Sequence, residues 1–435
     1  MRFFDFSLSL NGYDISNAKR ELAVLQHLNK EEKELDIADR RNAIVEDHIK
    51  NNSYYNHHFL SSYDKHWPSV PIMTKQDLQR PLKERLSNGF SNKAIYVNKT
   101  SGSSGDPFIF AKDKWCHAMT WAQIMDRFGW YNIDFNSSLQ ARFYGIPLDI
   151  IANKKERFKD WLSNRYRFSV FDLSDAAFEL CLNKFKATAF EFINGYTSPI
   201  VQFAKFLKRK KLILTNVCPS LRVCIVTSEM LFDSDRSLMQ ETFGVPVVNE
   251  YGASELDLIA FENTNGELQI NNDTLYVEIV DENNKVLPHG KEGRIIITSL
   301  FNKAHPFIRY DIGDIGVIEA KENTPYPILK KLTGRTNDLV QLPSGKTAAG
   351  LTFYYVTKEV IEESGNVKEF VIEQTKIEHF NIVYASISEL TPEQKVKIET
   401  AISQYLEDGL TISYKRMPQL KRSASGKLKQ FVSKI

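Results

Sequence analysis

The chain has 435 residues, enough for roughly two or three structural units and too long for one small domain. Lys and Arg total 56 against 54 Asp and Glu, so no net field draws it to nucleic acid or to an anionic membrane surface. Apolar runs such as Arg294–Leu300 and Leu212–Leu214 fall far short of a membrane span, and Asp5 interrupts the phenylalanines of 1–10 where a secretory leader would need an apolar core. The four cysteines, Cys116, Cys181, Cys218 and Cys224, form no CxxC pair and have no matching histidine spacing. They read as reduced thiols of a cytoplasmic protein and give no support to a zinc site.

Residues 17–60 carry Leu22, Leu25, Leu28, Ile44 and Ile49 at helical spacing, with charges on the other face. His57 and His58 follow a polar stretch and read as an exposed loop rather than a ligand pair. Val70–Leu78 predicts an extended proline segment and then a helix start capped by Thr74. Trp115–Trp130 predicts a helix with Trp121, Met125 and Phe128 toward the core. Leu139–Leu148 reads as a strand entering a loop with Tyr144 and Gly145, and Phe190–Pro199 as a strand-to-helix junction with Gly195 at the bend. The basic end of the next helix, Lys208–Lys211, is expected to be solvated. Leu221–Thr227, ending in Ser228 and Glu229, and Val245–Asn249, ending in Glu250–Glu255, predict buried parallel strands alternating with helices. From about Leu268 the texture changes to short hairpins over 275–280, 293–299 and 315–320. Thr333–Asp338 is a polar break and the best linker candidate, and the chain finishes in a basic run, Lys421–Lys427.

One stretch stands out chemically. Between a short extended run at Ala94–Val97 and an apolar strand at Phe108–Phe110 lies Thr100-Ser101-Gly102-Ser103-Ser104-Gly105-Asp106-Pro107. Its glycines let backbone N–H groups approach a ligand closely, and its hydroxyls add donors, the requirements of a loop that wraps a polyphosphate. It is not a Walker loop, because it lacks the Gly-Lys-Ser/Thr ending and leads into a strand. Taken alone, a Ser/Gly run is equally a flexible surface turn.

Four further motifs follow it in order: Tyr251-Gly252-Ala253-Ser254-Glu255, Arg309-Tyr310-Asp311-Ile312-Gly313-Asp314, Thr333-Gly334-Arg335-Thr336-Asn337-Asp338 and Ser425-Gly426-Lys427. Together with the loop, this series resembles the adenylate-forming superfamily of acyl-CoA synthetases and adenylation domains, and most of all its phenylacetate–CoA ligase and CapK-like branch. The resemblance covers the chain from about Pro71 to its end. It implies a multidomain α/β fold: a large N-terminal adenylation domain, 1–337, of mixed β-sheets with covering helices, and a small mobile α+β C-terminal domain, 338–435, carrying Lys427.

The chemistry implied by the resemblance suits these residue types. A carboxylate attacks the α-phosphorus of ATP and expels pyrophosphate, so two anions must be held in line against their repulsion. Thr100 through Gly105 would hold the β- and γ-phosphates, and Glu255 would bind Mg²⁺, a hard cation suited to carboxylate oxygen. Asp314 would accept from the ribose hydroxyls, Arg335 would contact ribose or phosphate, and Lys427 would reach the reacting carboxylate and α-phosphate. Ser228, Glu229, Glu250, Tyr251, Gly252 and Ser254 would complete the nucleotide site, although adenine contact and simple strand capping are equally open for Ser228 and Glu229. Tyr144, Gly145, Tyr196, Asn249 and Ala253 would line the pocket of a small or aromatic carboxylic acid.

Two departures bear on the second half-reaction. Asn337 stands at a hinge position that usually holds Asp or Lys, and Val340–Lys346 resembles the CapK-like form more than the glycine-bearing segment of the CoA ligases. The acceptor therefore stays open among CoA, the phosphopantetheine thiol of an acyl carrier protein and an amine. The segment Phe261–Asn271 lacks the Cys and His with which some relatives could hold a metal, so no structural zinc is expected. Two other readings, a kinase using the loop on the γ-phosphate and a non-catalytic nucleotide-binding relative, leave Asp314, Arg335 and Lys427 without a purpose. The oligomeric state is open, a dimer included.

Overall fold

Helices begin the chain because their apolar residues recur every three or four positions and their ends carry caps. A computed structural model describes residues 3–59, 66–91, 93–100, 108–145, 150–322, 324–335, 339–345, 347–349, 367–422 and 426–435. Helices α1 (Phe3–Leu10), α2 (Ile15–Gln26), α3 (Lys30–Asn51) and α4 (Ser53–Phe59) come first. Asp14 caps α2, and Asn29 with Glu32 forms a reciprocal capping box at α3. His57 and His58 lie exposed in the last turn of α4, not in a loop, because Tyr54, Tyr55 and Phe59 bury one face of that short helix. Thr74 and Asp77 cap each other, but only one 3-10 turn follows, before the short helix α5 (Leu82–Arg85).

Strands β1 (Ile95–Lys99) and β2 (Ile109–Asp113) pair antiparallel, and Asp113 caps α6 (Lys114–Gly129). Trp121, Met125 and Phe128 turn inward along α6 as the spacing predicts. A parallel core follows: β3 (Gln140–Phe143), α7 (Ile150–Leu162), β4 (Arg165–Phe168), α8 (Asp175–Lys186), β5 (Phe192–Tyr196), α9 (Thr197–Arg209), β6 (Val223–Thr227), α10 (Asp233–Phe243) and β7 (Val247–Ala253). These strands lie side by side as β4-β3-β5-β6-β7. One face packs a cluster built around Phe143, Ile193, Phe203 and Val226, and the other packs Phe192, Ile225 and Val248 against Phe128 of α6. Gly195 sits within β5 rather than at a bend. A Cβ there would lie 2.3 Å from the Phe143 carbonyl oxygen, so the close approach of β3 requires glycine. The basic end of α9 is solvated, pairing with Asp175, Glu179 and Glu241 on neighbouring helices.

β7 runs on through Glu250–Ala253 instead of ending at Asn249, because β8 (Asp257–Glu262) folds back and takes up its free hydrogen-bonding edge. From there the sheet turns antiparallel through β9 (Leu268–Ile270), β10 (Leu275–Val280), β11 (Glu292–Ser299), β12 (Tyr310–Glu319) and β13 (Ile328–Arg335), giving the strand order β10-β11-β12-β13-β9-β8-β7-β6-β5-β3-β4. Thr333–Arg335, read as a linker, is the end of β13; Thr336–Asp338 lies outside the described residues. All four cysteines are buried free thiols. Among the described residues no helix is long and apolar enough to cross a membrane.

The chain divides into two compact units, Met1–Ile312 with Val317–Lys330, and Gly313–Gly316 with Lys331–Ile435. The second contains the short pair β14 (Leu339–Gln341) and β15 (Thr347–Ala349), then β16 (Val367–Lys376), β17 (His379–Ser386), α11 (Pro392–Tyr405), β18 (Thr411–Met417) and β19 (Phe431–Ser433). The last four strands form one sheet in the order β18-β17-β16-β19. Thr391 and Gln394 cap α11 reciprocally, with Pro392 at its first turn. The basic run before β19 is anchored: Arg422 ion-pairs with Glu369 and donates to the Gly426 carbonyl at 3.1 Å, while Leu428 is buried.

Candidate active site

The glycine-rich loop closes the β1–β2 hairpin, and Thr100 clasps its base. The Thr100 amide donates to the Phe108 carbonyl at 3.0 Å, and the Phe108 amide returns a bond to the Thr100 hydroxyl at 3.0 Å. Ser101, Gly102, Ser103, Ser104 and Gly105 lie outside the described residues.

The second motif is the tip of the β7–β8 hairpin. A register shift between Tyr251 and Gly252 bulges the pair, and a Cβ on Gly252 would fall 2.4 Å from the Asp257 carbonyl oxygen. Ser254 is exposed at the turn, whereas Glu255 is buried. Glu255 is held from a distant part of the chain: the Tyr310 hydroxyl donates to its Oε1 at 3.0 Å. Arg309, the other leading residue of that motif, is a buried structural cation. It donates to Glu278 at 2.6 Å and to the Val70 carbonyl at 2.7 Å, and so fixes the start of β12. Lys112 of β2 ion-pairs with Asp257, which ties the strand leaving the loop to the hairpin carrying Glu255. Burial lowers the Lys112 ammonium to about 8, against the Cys116 thiol and the Glu255 carboxylate, which raise it. Glu255, Lys112, Thr274 and Ser299 line one part of a cavity of about 20 Å³, room for roughly one water, and Met119, Leu256, Leu258 and Phe301 line the rest. The sequence reading gave Tyr310 and Lys112 no role. Their signals were a tyrosine inside a quoted motif and a lysine in an otherwise apolar strand just after the loop.

A third group gathers at the carboxyl ends of the parallel strands, where such sheets hold ligands. The Tyr144 and Tyr196 rings meet with centroids 4.6 Å apart, and the Tyr144 hydroxyl donates to Asn194 Oδ1 at 3.3 Å. Gln140 donates to the same oxygen at 3.1 Å. The Arg142 guanidinium stands 4.3 Å from the centroid of the Tyr144 ring. Thr227 donates to Glu250, its register partner; burial nevertheless raises the Glu250 carboxyl to about 7, against Thr227 and Arg142. Tyr144 and Tyr196 are neighbours, joined by Arg142 and Asn194, to which the sequence assigns no role. Gly145 accepts from Arg167 at 3.2 Å through its carbonyl. The backbone N–H of Asn249 donates to Glu262 at 2.9 Å, beside the Arg236–Glu262 ion pair. Ala253 pairs with Asp257 at the hairpin tip. Ser228 is exposed with φ +69, and the Glu229 carboxylate caps α9, accepting from the Ser198 amide at 2.6 Å.

Asp314, buried in β12, and Lys427, half-buried ahead of β19, belong to the second unit. Arg335 ends β13 in the same unit.

The residues around Glu255 fit a magnesium ion. Among the described residues no three of His, Cys, Asp and Glu cluster tightly enough to cage a metal, so an ion here would draw its other oxygens from phosphate and water. A single buried carboxylate matches that habit of magnesium, and the Lys112 ammonium on the same cavity is drawn off by its ion pair with Asp257.

No protein-family model matches the chain. It is 24% identical to Protein CapK of Staphylococcus aureus over 278 residues, 62% of this chain and 59% of that protein. It is 27% identical to a phenylacetate-coenzyme A ligase of Aromatoleum evansii over 182 residues, 41% of this chain and 40% of that one. The chain thus matches less than two thirds of the length of these curated relatives. Among solved structures, 2-hydroxyisobutyryl-CoA ligase in its postadenylation state superposes with a TM-score of 0.70 at 16% identity, covering 94% of this chain and 91% of that one. At that identity the likeness speaks for the fold.

Proposed function

We propose, from the premise that the chain belongs to the adenylate-forming superfamily on its phenylacetate–CoA ligase and CapK-like branch, that it is an AMP-forming ligase. It joins a small or aromatic carboxylic acid to the AMP moiety of ATP, releasing pyrophosphate, and then passes the acyl group to a thiol. The observation that carries this reading is the contact between two motifs far apart in sequence: Tyr310, opening the segment that ends in Asp314, holds Glu255, which closes the Tyr251–Glu255 motif.

In this reading Thr100 through Gly105 take the β- and γ-phosphates, and the clasp at Thr100 and Phe108 fixes the two strand ends that flank this segment. Magnesium bound at Glu255 would screen the phosphate charge. Tyr310 fixes one oxygen of Glu255 and leaves the other for the ion. Asp314 receives the ribose hydroxyls, and Arg335 contacts ribose or phosphate. Lys427 meets the charge that builds as the acid's oxygen bonds to the α-phosphorus and the bond to pyrophosphate breaks. The division into a large domain over 1–337 and a mobile one over 338–435 belongs to the same proposal, since the two half-reactions need different groups at one centre. So does a cytoplasmic location.

CoA or a carrier protein's phosphopantetheine serves as the thiol. Transfer to an amine is the second reading, since the CapK-like character of Val340–Lys346 weighs against CoA. The test is a screen of carboxylic acids for pyrophosphate release with MgATP, followed by addition of CoA, carrier protein or amines to the acids that respond. AMP and pyrophosphate are expected; ADP and phosphate would sink the proposal.

A further inference from the structure

The ligase reading leaves open which acids are used, and the strand ends hold a cation that it does not employ. Arg142 lies on β3 in register with Asn194 of β5 and Arg167 of β4, so the three side chains share one face of the sheet. Two positions along the same face come Tyr144 and Tyr196, and Glu250 is reached through Thr227. Arg142 Nε is buried and, among the described residues, none accepts from it; Arg167 Nε on the adjacent strand is in the same condition. Glu250 contributes a field at this cation but is not its hydrogen-bonded partner. The remaining charges nearby are Arg165, Arg167, Asp160 and Glu156, already joined to one another by ion pairs. Burial lowers the Arg142 guanidinium to about 10, the cost of holding a cation with so little compensation. The Tyr144 ring offsets part of that cost, yet a ring face offers no lone pair to an in-plane N–H.

A buried donor with no acceptor is expensive unless a ligand supplies one. Resting on the ligase reading, we infer that Arg142 is a specificity-determining residue that binds an oxygen on the tail of the acid. The substrate class is then a carboxylic acid bearing a second oxygen group, carboxylate or hydroxyl, away from the carboxyl that is adenylated. Tyr144 and Asn194 flank this position and are held in place by their mutual hydrogen bond, with Asn194 also bonded to Gln140 and to the Ile225 carbonyl. A plain hydrocarbon tail would leave the buried Nε of this half-buried side chain unmatched.

The experiment uses the full chain with MgATP and follows pyrophosphate over matched triplets of aliphatic and aromatic acids: unsubstituted, hydroxylated at the tail, and carboxylated at the tail. The wild-type enzyme is expected to favour an oxygenated member over its unsubstituted partner by about 10²-fold or more in kcat/KM. Whether the hydroxylated or the carboxylated member leads identifies the group. Arg142→Gln is expected to erase that preference, its kcat/KM falling at least about tenfold more for the oxygenated member than for its unsubstituted partner, with a circular dichroism spectrum and thermal midpoint near those of wild type showing that the variant folds. Arg142→Lys should retain part of the preference, since it keeps a donor. A wild-type preference for the unsubstituted acids, or an Arg142→Gln variant that slows all members of a triplet equally, overturns the inference and makes Arg142 a structural cation. Pyrophosphate from none of the acids defeats the ligase reading itself, whereas turnover without an Arg142-dependent preference defeats only this inference.

Discussion

Tyr310 holds Glu255 by a 3.0 Å hydrogen bond between buried groups 55 positions apart, and both belong to the first unit. The hydroxyl takes one carboxylate oxygen and thereby orients the other. Tyr310→Phe removes that bond and keeps the ring that packs against Phe307. Stability should fall by about 1 kcal/mol, the usual worth of one such bond. The sharper readout is magnesium: the concentration giving half-maximal adenylation should rise about tenfold, with little change at saturating metal. An unaltered magnesium dependence would make Tyr310 a packing residue.

Lys427 sits between anchored neighbours, Gly426 held through Arg422 and Leu428 buried, so its backbone is fixed while its side chain stays half-exposed. Lys427→Ala should therefore leave folding intact. We expect adenylate formation to drop by about 10²–10³ with ATP affinity nearly unchanged, the pattern of a group acting in the transition state. Turnover at the wild-type rate removes Lys427 from the mechanism.

The parts legible in the sequence are those with local causes. The Val- and Ile-rich runs at 223–227 and 247–248 predicted buried parallel strands, and the spacing of Trp121, Met125 and Phe128 predicted α6. Gly195 misled because glycine marks a bend and a close backbone approach equally well, and only the position of Phe143 distinguishes them. Glu250–Ala253 reads as the stretch where the Val-rich strand ends, because Glu250 and Gly252 interrupt the apolar run, yet β8 recruits it into the sheet. The links Tyr310–Glu255 and Lys112–Asp257 were illegible for a simpler reason: each joins elements that no local pattern connects.

Gly252 tests whether the hairpin tip is shaped for Glu255. Its backbone lies so close to the Asp257 carbonyl that a methyl group would sit 2.4 Å from that oxygen, and both partners are main chain, which cannot swing aside. Gly252→Ala should cost about 1–3 kcal/mol as the bulge opens. Adenylation should suffer more than that loss explains, because Glu255 follows three residues later. A thermal midpoint within error of wild type would show that the bulge relaxes freely.

A buried histidine pair sets the acid limit of the fold. His48 Nε2 faces the Asn302 carbonyl at 2.8 Å, so it carries the proton, and Nδ1 accepts from the Ser87 hydroxyl at 3.2 Å. His305 Nε2 meets the Arg85 guanidinium and must be an acceptor, leaving its proton on Nδ1. Both rings are thus neutral. Burial lowers His48 to about 4, against the Asn302 carbonyl and Asp47, which raise it. Burial first and Arg85 second hold His305 well below the ordinary histidine value. In the unfolded chain both would titrate near 6.5, so below that pH the unfolded state binds more protons and stability falls. The loss should begin near pH 6.5 and continue at least to about 4, at up to about 1.4 kcal/mol per pH unit for each ring. Thermal midpoints across that range check the direction, and His48→Gln, which cannot be protonated, should flatten the slope while lowering the midpoint at pH 7. A slope unchanged in His48→Gln would assign the acid sensitivity to carboxylates elsewhere, because the buried ring would then contribute no proton difference between the two states.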